Sequence, residues 1–139
     1  MAESPRAEEA EALRRRALEF LEEADEAIKA GRYALSCFFS EQSAQLYLKY
    51  AMLKLFGEHP RTHYVRRLIG DLIRLTENPR MRERLSEFAS RMRAELSALE
   101  DAYLMSRYSA KEYSREDAIA AYEAAKGLVE LLKEAVERA

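Results

Sequence analysis

The first thirty residues carry apolar side chains at intervals of three and four. This interval predicts an amphipathic helix with one apolar stripe. The stripe consists of Leu13, Ala17, Phe20, Leu21, Ala24 and Ile28. Gly31 follows it and can supply the left-handed backbone that often terminates a helix, so we predict that the first helix ends there.

The next segment, about residues 33–56, is apolar on more than one face. Its apolar residues include Leu35, Phe38, Phe39, Leu46, Leu48, Met52, Leu53 and Leu55. A helix that is apolar around most of its circumference needs cover on several sides. We therefore predict a helix that ends before Gly57 and forms either the centre of a bundle or a surface shared with a partner chain.

Three further helices are predicted in the second half of the chain. A short helix carries apolar residues from Val65 to Leu75. A longer helix begins at Asn78-Pro79, a favourable cap and first helical position, and its apolar seam continues without a break to Tyr103. The last helix begins at Ser114, where Ser-Arg-Glu-Asp resembles a capping box with Asp in the place of Glu.

Long amphipathic helices with short connections pack in antiparallel fashion. The sequence therefore predicts an all-α, up-and-down bundle of four or five helices. At 139 residues with 48% hydrophobic composition, the chain suits one domain over residues 1–139.

Charge is distributed unevenly along the chain, although the net charge is only −2. Residues 61–93 carry nine arginines against four acids, whereas residues 1–30 carry five bases against nine acids. Such blocks usually form solvated helix faces, and the alternative is a surface in the middle of the chain that faces an anion. The small net charge argues against a general polyanion-binding protein.

Several kinds of site find no support in the sequence. The single Cys37 cannot form an intramolecular disulfide, and the two histidines, His59 and His63, belong to no metal-binding motif. Four scattered glycines cannot form a phosphate-binding loop. We therefore expect no metal and no cofactor. No apolar run reaches membrane-spanning length and the N-terminus has no apolar signal core, so we expect a cytoplasmic protein without a membrane partner.

The connection between the last two helices, residues 103–113, has the most unusual composition. It combines Tyr103, Tyr108 and Tyr113 with Arg107 and Lys111. Tyrosine rings can stack on bases, and the planar guanidinium of arginine suits phosphate. The alternative is that the tyrosines pack at the end of the bundle and the arginine pairs with an acid.

The chain as a whole resembles the HEPN domain, a small helical module of prokaryotic nucleotide-binding and ribonuclease-toxin systems. Residues 30–51, AGRYALSCFFSEQSAQLYLKYA, are similar to its signature, with Gln42, Ala44 and Lys49 in the characteristic run. His63 follows at the place of a family histidine, and Ser106-Arg107-Tyr108 is similar to the segment before the final helix. Order and spacing agree over roughly residues 7–138.

The resemblance implies a homodimer with a shared cleft and a minimal nucleotidyltransferase as partner. In ribonuclease members, an arginine is followed after four to six intervening residues by a catalytic histidine. Here the corresponding positions after Arg107 are Glu112, Tyr113 and Ser114. Glu112 is a poor replacement because its ordinary pKa, about 4.3, lies far from that of an efficient base at neutral pH. The resemblance also makes Tyr113 the nearest counterpart of a tyrosine that the partner adenylylates in some toxins.

The leading hypothesis is a HEPN module that binds a nucleotide or an RNA phosphate at a dimer cleft, in a toxin-antitoxin-type system. Arg107 would contact the phosphate, Tyr108 and Tyr113 would stack or form hydrogen bonds, and Arg32 or Lys111 would add charge. The alternatives are a metal-independent ribonuclease toxin with a variant active site, which uses Arg107 and Glu112, and a purely structural adaptor.

Overall fold

A computed structural model describes the backbone of residues 4–108 and 110–139 and the side chains of residues 4–105 and 110–139. These ranges contain six helices and no strand, which confirms the all-α prediction. The helices are α1 (Pro5–Lys29), α2 (Tyr33–Phe56), α3 (Val65–Leu75), α4 (Pro79–Arg91), α5 (Arg93–Tyr108) and α6 (Arg115–Glu137).

Two glycines fix the ends of the first two helices, as predicted. Gly31 follows α1 with a φ of 74°, and Gly57 follows α2 with a φ of 82°. Only glycine adopts this left-handed backbone without a steric penalty. The predicted bounds of α2 are confirmed at both ends.

The helices α1 and α2 pack closely and run in opposite directions. The hydroxyl of Ser36 donates to the carbonyl of Ala24, and that of Ser43 donates to the carbonyl of Ala17, both at 2.7 Å. From Ser36 to Ser43 the chain advances by seven residues in α2, while their partners in α1 go back by seven, from Ala24 to Ala17. The two helices are therefore antiparallel. The two alanines are fully buried, and their small side chains allow the backbones to approach each other.

Helix α2 is the central element, as the sequence predicted. It packs against α1, α3, α5 and α6, and 14 of its 24 residues are buried. The neighbouring helices of the same chain thus cover most of its circumference. Leu35, near its start, remains 41% exposed.

The prediction of a single long helix from Asn78 to Tyr103 was wrong. The chain changes direction at Met92, where φ is −104° and ψ is 23°, and this break separates α4 from α5. The backbone hydrogen bonds continue through the break, from Met92 to Phe88 and from Leu96 to Met92. No glycine or proline lies there, so packing accounts for the turn: α5 lies against α2, which α4 does not contact.

Both predicted caps in the second half are confirmed. The side chain of Asn78 accepts hydrogen bonds from the first turn of α4. Ser114 and Asp117 form a reciprocal capping box at the start of α6, with N···O distances of 2.9 and 3.0 Å. Within the described ranges, no helix is both long and apolar enough to cross a membrane.

Candidate functional site

The predicted site residues lie around the end of α5 and the connection to α6. Arg107 and Tyr108 belong to the last turn of α5, and their side chains lie outside the described residues. Lys111 and Glu112 are exposed in the connection, and Tyr113 is half-buried immediately before the cap of α6. The structure therefore describes the surroundings of Lys111, Glu112 and Tyr113. The roles of Arg107 and Tyr108 remain predictions.

Lys111 and Tyr113 form a direct contact. The ammonium nitrogen of Lys111 lies 4.9 Å from the centroid of the Tyr113 ring, a cation–π distance. The hydroxyl of Tyr113 is buried and has no hydrogen-bond partner in the described part of the chain. Burial also raises the pKa of this phenol. Modification of Tyr113, as predicted, would require the hydroxyl to leave this position.

Beside this pair, a groove of about 210 Å³ opens between α5 and α6. It is lined by Cys37, Ala94, Glu95, Ala98, Lys111, Tyr113, Asp117, Ala120 and Ala121. Burial raises the pKa of the Cys37 thiol to about 11, so this group is protonated at neutral pH and unsuited to nucleophilic attack or metal binding.

Arg32 lies in a different groove, of about 250 Å³, at the start of α2. Its lining includes Glu23, Glu26, Leu35 and Phe39, and it shares no residue with the groove of Lys111 and Tyr113. The two acids give this second groove an excess of negative charge. The contacts of the described residues thus bring Lys111 and Tyr113 together but do not bring Arg32 to them.

A buried row of polar side chains along α2 was not predicted from the sequence. The amide nitrogens of Gln42 and Gln45 donate to the two carboxylate oxygens of Glu41, at 2.7 and 2.8 Å. Lys49 donates to the amide oxygen of Gln45 at 3.2 Å. Glu41 is fully buried, and Gln45 and Lys49 are 4% and 9% exposed. We call Glu41, Gln45 and Lys49 the polar ladder.

Burial perturbs the ionisation of Lys49. It lowers the pKa of Lys49, and the nearby charge of Glu41 acts in the opposite direction. A buried carboxylate and ammonium are costly to remove from water, and groups with such perturbed pKa values are concentrated at functional sites. The polar ladder is therefore a stronger indication of a site than any single residue chosen from the sequence.

His63 and Tyr103 extend the polar ladder to α5. The Nδ1 atom of His63 lies 3.5 Å from the amide oxygen of Gln45, which is a long contact. The His63 ring stacks on Tyr103, with centroids 5.4 Å apart and planes 16° apart. Tyr103 precedes Arg107 by four residues in α5, and residues four apart lie on the same face of a helix. A row of contacting side chains thus extends from the polar ladder through His63 to Tyr103, one helical turn before Arg107.

The spacing of the ladder residues was a usable signal in the sequence. Glu41, Gln45 and Lys49 recur every four residues in a helix that was predicted to be covered on several sides. Polar residues on a covered face must pair with each other or with a functional group. Among the described side chains, no group of three or more His, Cys, Asp or Glu residues could hold a metal ion.

The chain matches one known family of helical domains over most of its length. The family model of the HEPN domain matches residues 10–135. No match was found among curated proteins.

Two solved structures share the fold of this chain. ST0689, described as an archaeal HEPN homologue, is 24% identical, with a TM-score of 0.66 over 91% of this chain and 97% of that chain. TT1696 from Thermus thermophilus is 22% identical, with a TM-score of 0.68 over 90% and 96% of the two chains. At this level of identity, the similarity concerns the fold alone.

Proposed function

This chain belongs to the HEPN domain family, and on that premise we propose that it binds a nucleotide or an RNA phosphate at a cleft between two copies. In this proposal a minimal nucleotidyltransferase is its partner in a toxin-antitoxin-type pair. Arg107 contacts the phosphate, and Tyr108 and Tyr113 stack on the ligand or bind it by hydrogen bonds. Lys111 adds positive charge nearby, whereas Arg32, the other candidate for this role, lies in a separate groove.

The observation that carries the proposal is the polar ladder and its link, through His63, to Tyr103 of α5. Replacing a buried ionic group by an apolar one of similar volume is often neutral or stabilising, so stability alone gives little reason to bury Glu41 and Lys49. Gln45, which bonds to both of them, contacts His63, and His63 stacks on Tyr103. These contacts support a polar region one helical turn before Arg107. Such a region can hold a ligand-binding turn in one orientation.

The test is a titration of the purified protein with ATP, GTP and a short RNA. We expect Arg107→Ala to weaken binding at least about tenfold, or about 1.4 kcal/mol, because a charge-assisted contact to phosphate is lost. Arg93→Ala is the matched control, since it removes the same charge from the exposed first residue of the same helix. Equal affinity of the wild type and Arg107→Ala would refute the assignment.

The proposed partner is tested separately from the ligand. Co-expression with a minimal nucleotidyltransferase encoded next to this gene should yield a complex that stays together during size-exclusion chromatography. A complex whose affinity does not depend on Arg107, combined with no ligand binding, would instead support the structural adaptor. The two results together distinguish a ligand-binding partner from a scaffold.

His63 is the specific observation in favour of a second function, metal-independent RNA cleavage. The family's motif histidine is absent after Arg107, but His63 stacks on Tyr103, which precedes Arg107 by about one turn of α5. An imidazole can take the proton of an attacking 2′-hydroxyl while an arginine stabilises the charge on phosphorus. Cleavage that is lost in both Arg107→Ala and His63→Ala would support this function, whereas loss in Glu112→Ala would point to the carboxylate. No cleavage by the protein without its partner would exclude it.

A further inference from the structure

We propose that Gln45 is a positioning residue for His63. The polar ladder holds the amide oxygen of Gln45 toward the imidazole, so the neutral ring carries its hydrogen on Nδ1 and leaves Nε2 as an acceptor. The role of Nε2 toward a ligand rests on the proposed function, whereas the position of the hydrogen is a property of the protein alone.

Two neighbours fix the orientation of the Gln45 amide. Its nitrogen donates to Oε2 of Glu41 at 2.8 Å, and its oxygen accepts from the ammonium of Lys49 at 3.2 Å. A carboxylate only accepts hydrogen bonds, and an ammonium only donates them. Turning the amide over would lose both bonds where Gln45 is only 4% exposed, so water could not replace them. The oxygen therefore stays on the side of Lys49 and His63.

The oxygen of Gln45 decides which nitrogen of His63 carries the hydrogen. Nδ1 lies 3.5 Å from this oxygen. Since an amide oxygen only accepts, a bond between the two atoms requires a hydrogen on Nδ1. A neutral imidazole has a single ring hydrogen, so Nε2 then has none. An imidazole in water favours the opposite form, and the polar ladder reverses this preference. Because the contact is long, we expect the minor form to persist.

The ring that presents Nε2 is held by its stack on Tyr103, with the two planes 16° apart. His63 is exposed, and its Nε2 atom makes no hydrogen bond within the described ranges. Tyr103 precedes Arg107 by one turn of α5. The unprotonated nitrogen is therefore accessible on a ring that packs beside the proposed phosphate-binding turn.

This form of the ring suits the proposed RNA cleavage, which needs a nitrogen without hydrogen as the base. Nε2 takes the proton of a 2′-hydroxyl as the 2′-oxygen bonds to phosphorus. The bond from phosphorus to the 5′-oxygen breaks, and the departing oxygen takes up a proton from water. The imidazolium keeps the hydrogen on Nδ1, and Gln45 accepts it before and after the transfer. The ring therefore need not turn during the reaction.

The position of the hydrogen is measured by nuclear magnetic resonance of the protein with ¹⁵N-labelled histidine and no ligand. A ring nitrogen with a hydrogen resonates far from one without, so the shifts of Nδ1 and Nε2 give the ratio of the two forms. The pH is raised until these shifts no longer change, and His63→Asn identifies the signals, since His59 is the other histidine. We expect the Nδ1–H form to be the majority in the wild type, and a majority of the Nε2–H form overturns the proposal.

Two methionine variants assign the effect to Gln45. Gln45→Met keeps the length of the side chain and removes the amide oxygen, so the ratio of the Nδ1–H to the Nε2–H form should fall about fivefold, as for the loss of one hydrogen bond. Gln42→Met is the matched control, because Gln42 also donates to Glu41 and makes no printed-length contact with the imidazole in the described part of the chain. No fall in Gln45→Met, or an equal fall in Gln42→Met, overturns the assignment.

A double variant, Glu41→Gln with Gln45→Glu, exchanges the two groups and keeps the charge of the ladder. The amide at position 41 can donate to the carboxylate at position 45, which still accepts from Lys49 and His63. The Nδ1–H form should therefore remain the majority, and its loss would contradict an acceptor at position 45. Circular dichroism shows that each variant is folded, and the wild-type spectrum decides even where Gln45→Met does not fold.

The outcomes separate this proposal from the proposed function. A majority of the Nε2–H form overturns it even where ligand binding depends on Arg107. Where the protein cleaves RNA, Gln45→Met should lower kcat about fivefold with KM unchanged, and an unchanged kcat overturns the positioning role. Absence of cleavage overturns the role of Nε2 as a base, while the spectra alone decide the position of the hydrogen.

Discussion

At the residue scale, the interior of this bundle contains polar groups that differ in how they are satisfied. Ser36 and Ser43 donate to carbonyls of α1, which removes the cost of burying their hydroxyls. Ser40, in the same helix, is buried without a hydrogen-bond partner in the described ranges. The paired serines fix the register of two helices, and the polar ladder marks the side of α2 that faces His63.

Cys37 makes the stability of the fold sensitive to alkaline pH. Burial raises the pKa of its thiol from 9.0 to about 11, so the folded state disfavours the thiolate. The stability that comes from the neutral thiol is fully present below about pH 9. It should fall by about 1.4 kcal/mol per pH unit between about pH 9 and 11, because unfolding then releases a proton.

The measurement is urea unfolding at about pH 8, 9.5 and 10.5 for the wild type and Cys37→Ala. Tyr47, with a pKa raised by burial to about 12, adds a second decline above about pH 10, and Lys49, with a lowered pKa, acts in the opposite direction. Both remain in the variant, as does Tyr50 with its raised pKa, so the difference between the two proteins reports the thiol together with its charge effect on Tyr113. That difference should shrink as the pH rises, and parallel curves would contradict the prediction.

At the element scale, helix ends were predictable and the break at Met92 was not. Gly31, Gly57 and the Ser114–Asp117 box act through their own backbone and nearest neighbours, so their effects are visible in the sequence. The break depends on α5 reaching α2, which is a tertiary contact. The apolar spacing from Met81 to Tyr103 is uninterrupted because α4 and α5 both bury the residues of this seam, so the spacing gives no sign of the break.

The candidate site shows the same division. The sequence singled out Lys111 and Tyr113, which do contact each other, because tyrosines and cations were concentrated in one short connection. It missed Glu95 because the sequence placed this residue in the interior of one long helix, where a charged residue is expected on the solvated face. Only the packing of α5 on α6 reveals that this residue also lines a groove.

Because α1 and α2 approach each other closely, we predict that a larger side chain between them lowers the stability of the fold. Ala17 is fully buried and its carbonyl accepts the bond from Ser43, so Ala17→Leu has no space for its side chain. We expect a loss of about 1–3 kcal/mol in the free energy of unfolding, measured with urea. Arg16→Leu is the matched control on the adjacent exposed position and should change stability by less than about 0.5 kcal/mol. Equal stability of the two variants would mean that the helices can separate without cost.

At the scale of the whole molecule, four of the nine arginines in residues 61–93 form ion pairs or hydrogen bonds within the chain. Arg66 pairs with Glu100, Arg74 with Asp71, and Arg84 with Glu134. Arg82 donates to the backbone carbonyls of Ile73 and Thr76 between α3 and α4. Since these four arginines have partners within the chain, the solvated-face interpretation of this stretch is favoured over an anion-binding surface.

Helix α2 is mostly covered by helices of the same chain, so a second copy would bind to an apolar surface on another helix. Leu104 and Met105 are 49% and 41% exposed, and they lie on α5 just before the turn that carries Arg107. Exposed apolar neighbours of this kind are common at protein interfaces. An interface through them would bring the two turns that carry Arg107 close to each other, as the proposed dimer cleft requires.

We therefore expect light scattering to give about twice the chain mass of 16.1 kDa, since a symmetric pair is the commonest assembly. Leu104→Glu should shift the protein to monomer, because the buried carboxylate would be unpaired, and should weaken ligand binding as Arg107→Ala does. Leu75→Glu, at a leucine of similar exposure on α3, should leave both mass and affinity unchanged. A monomer mass that does not change with concentration would contradict the dimer, and full ligand binding by such a monomer would place the complete site within one copy.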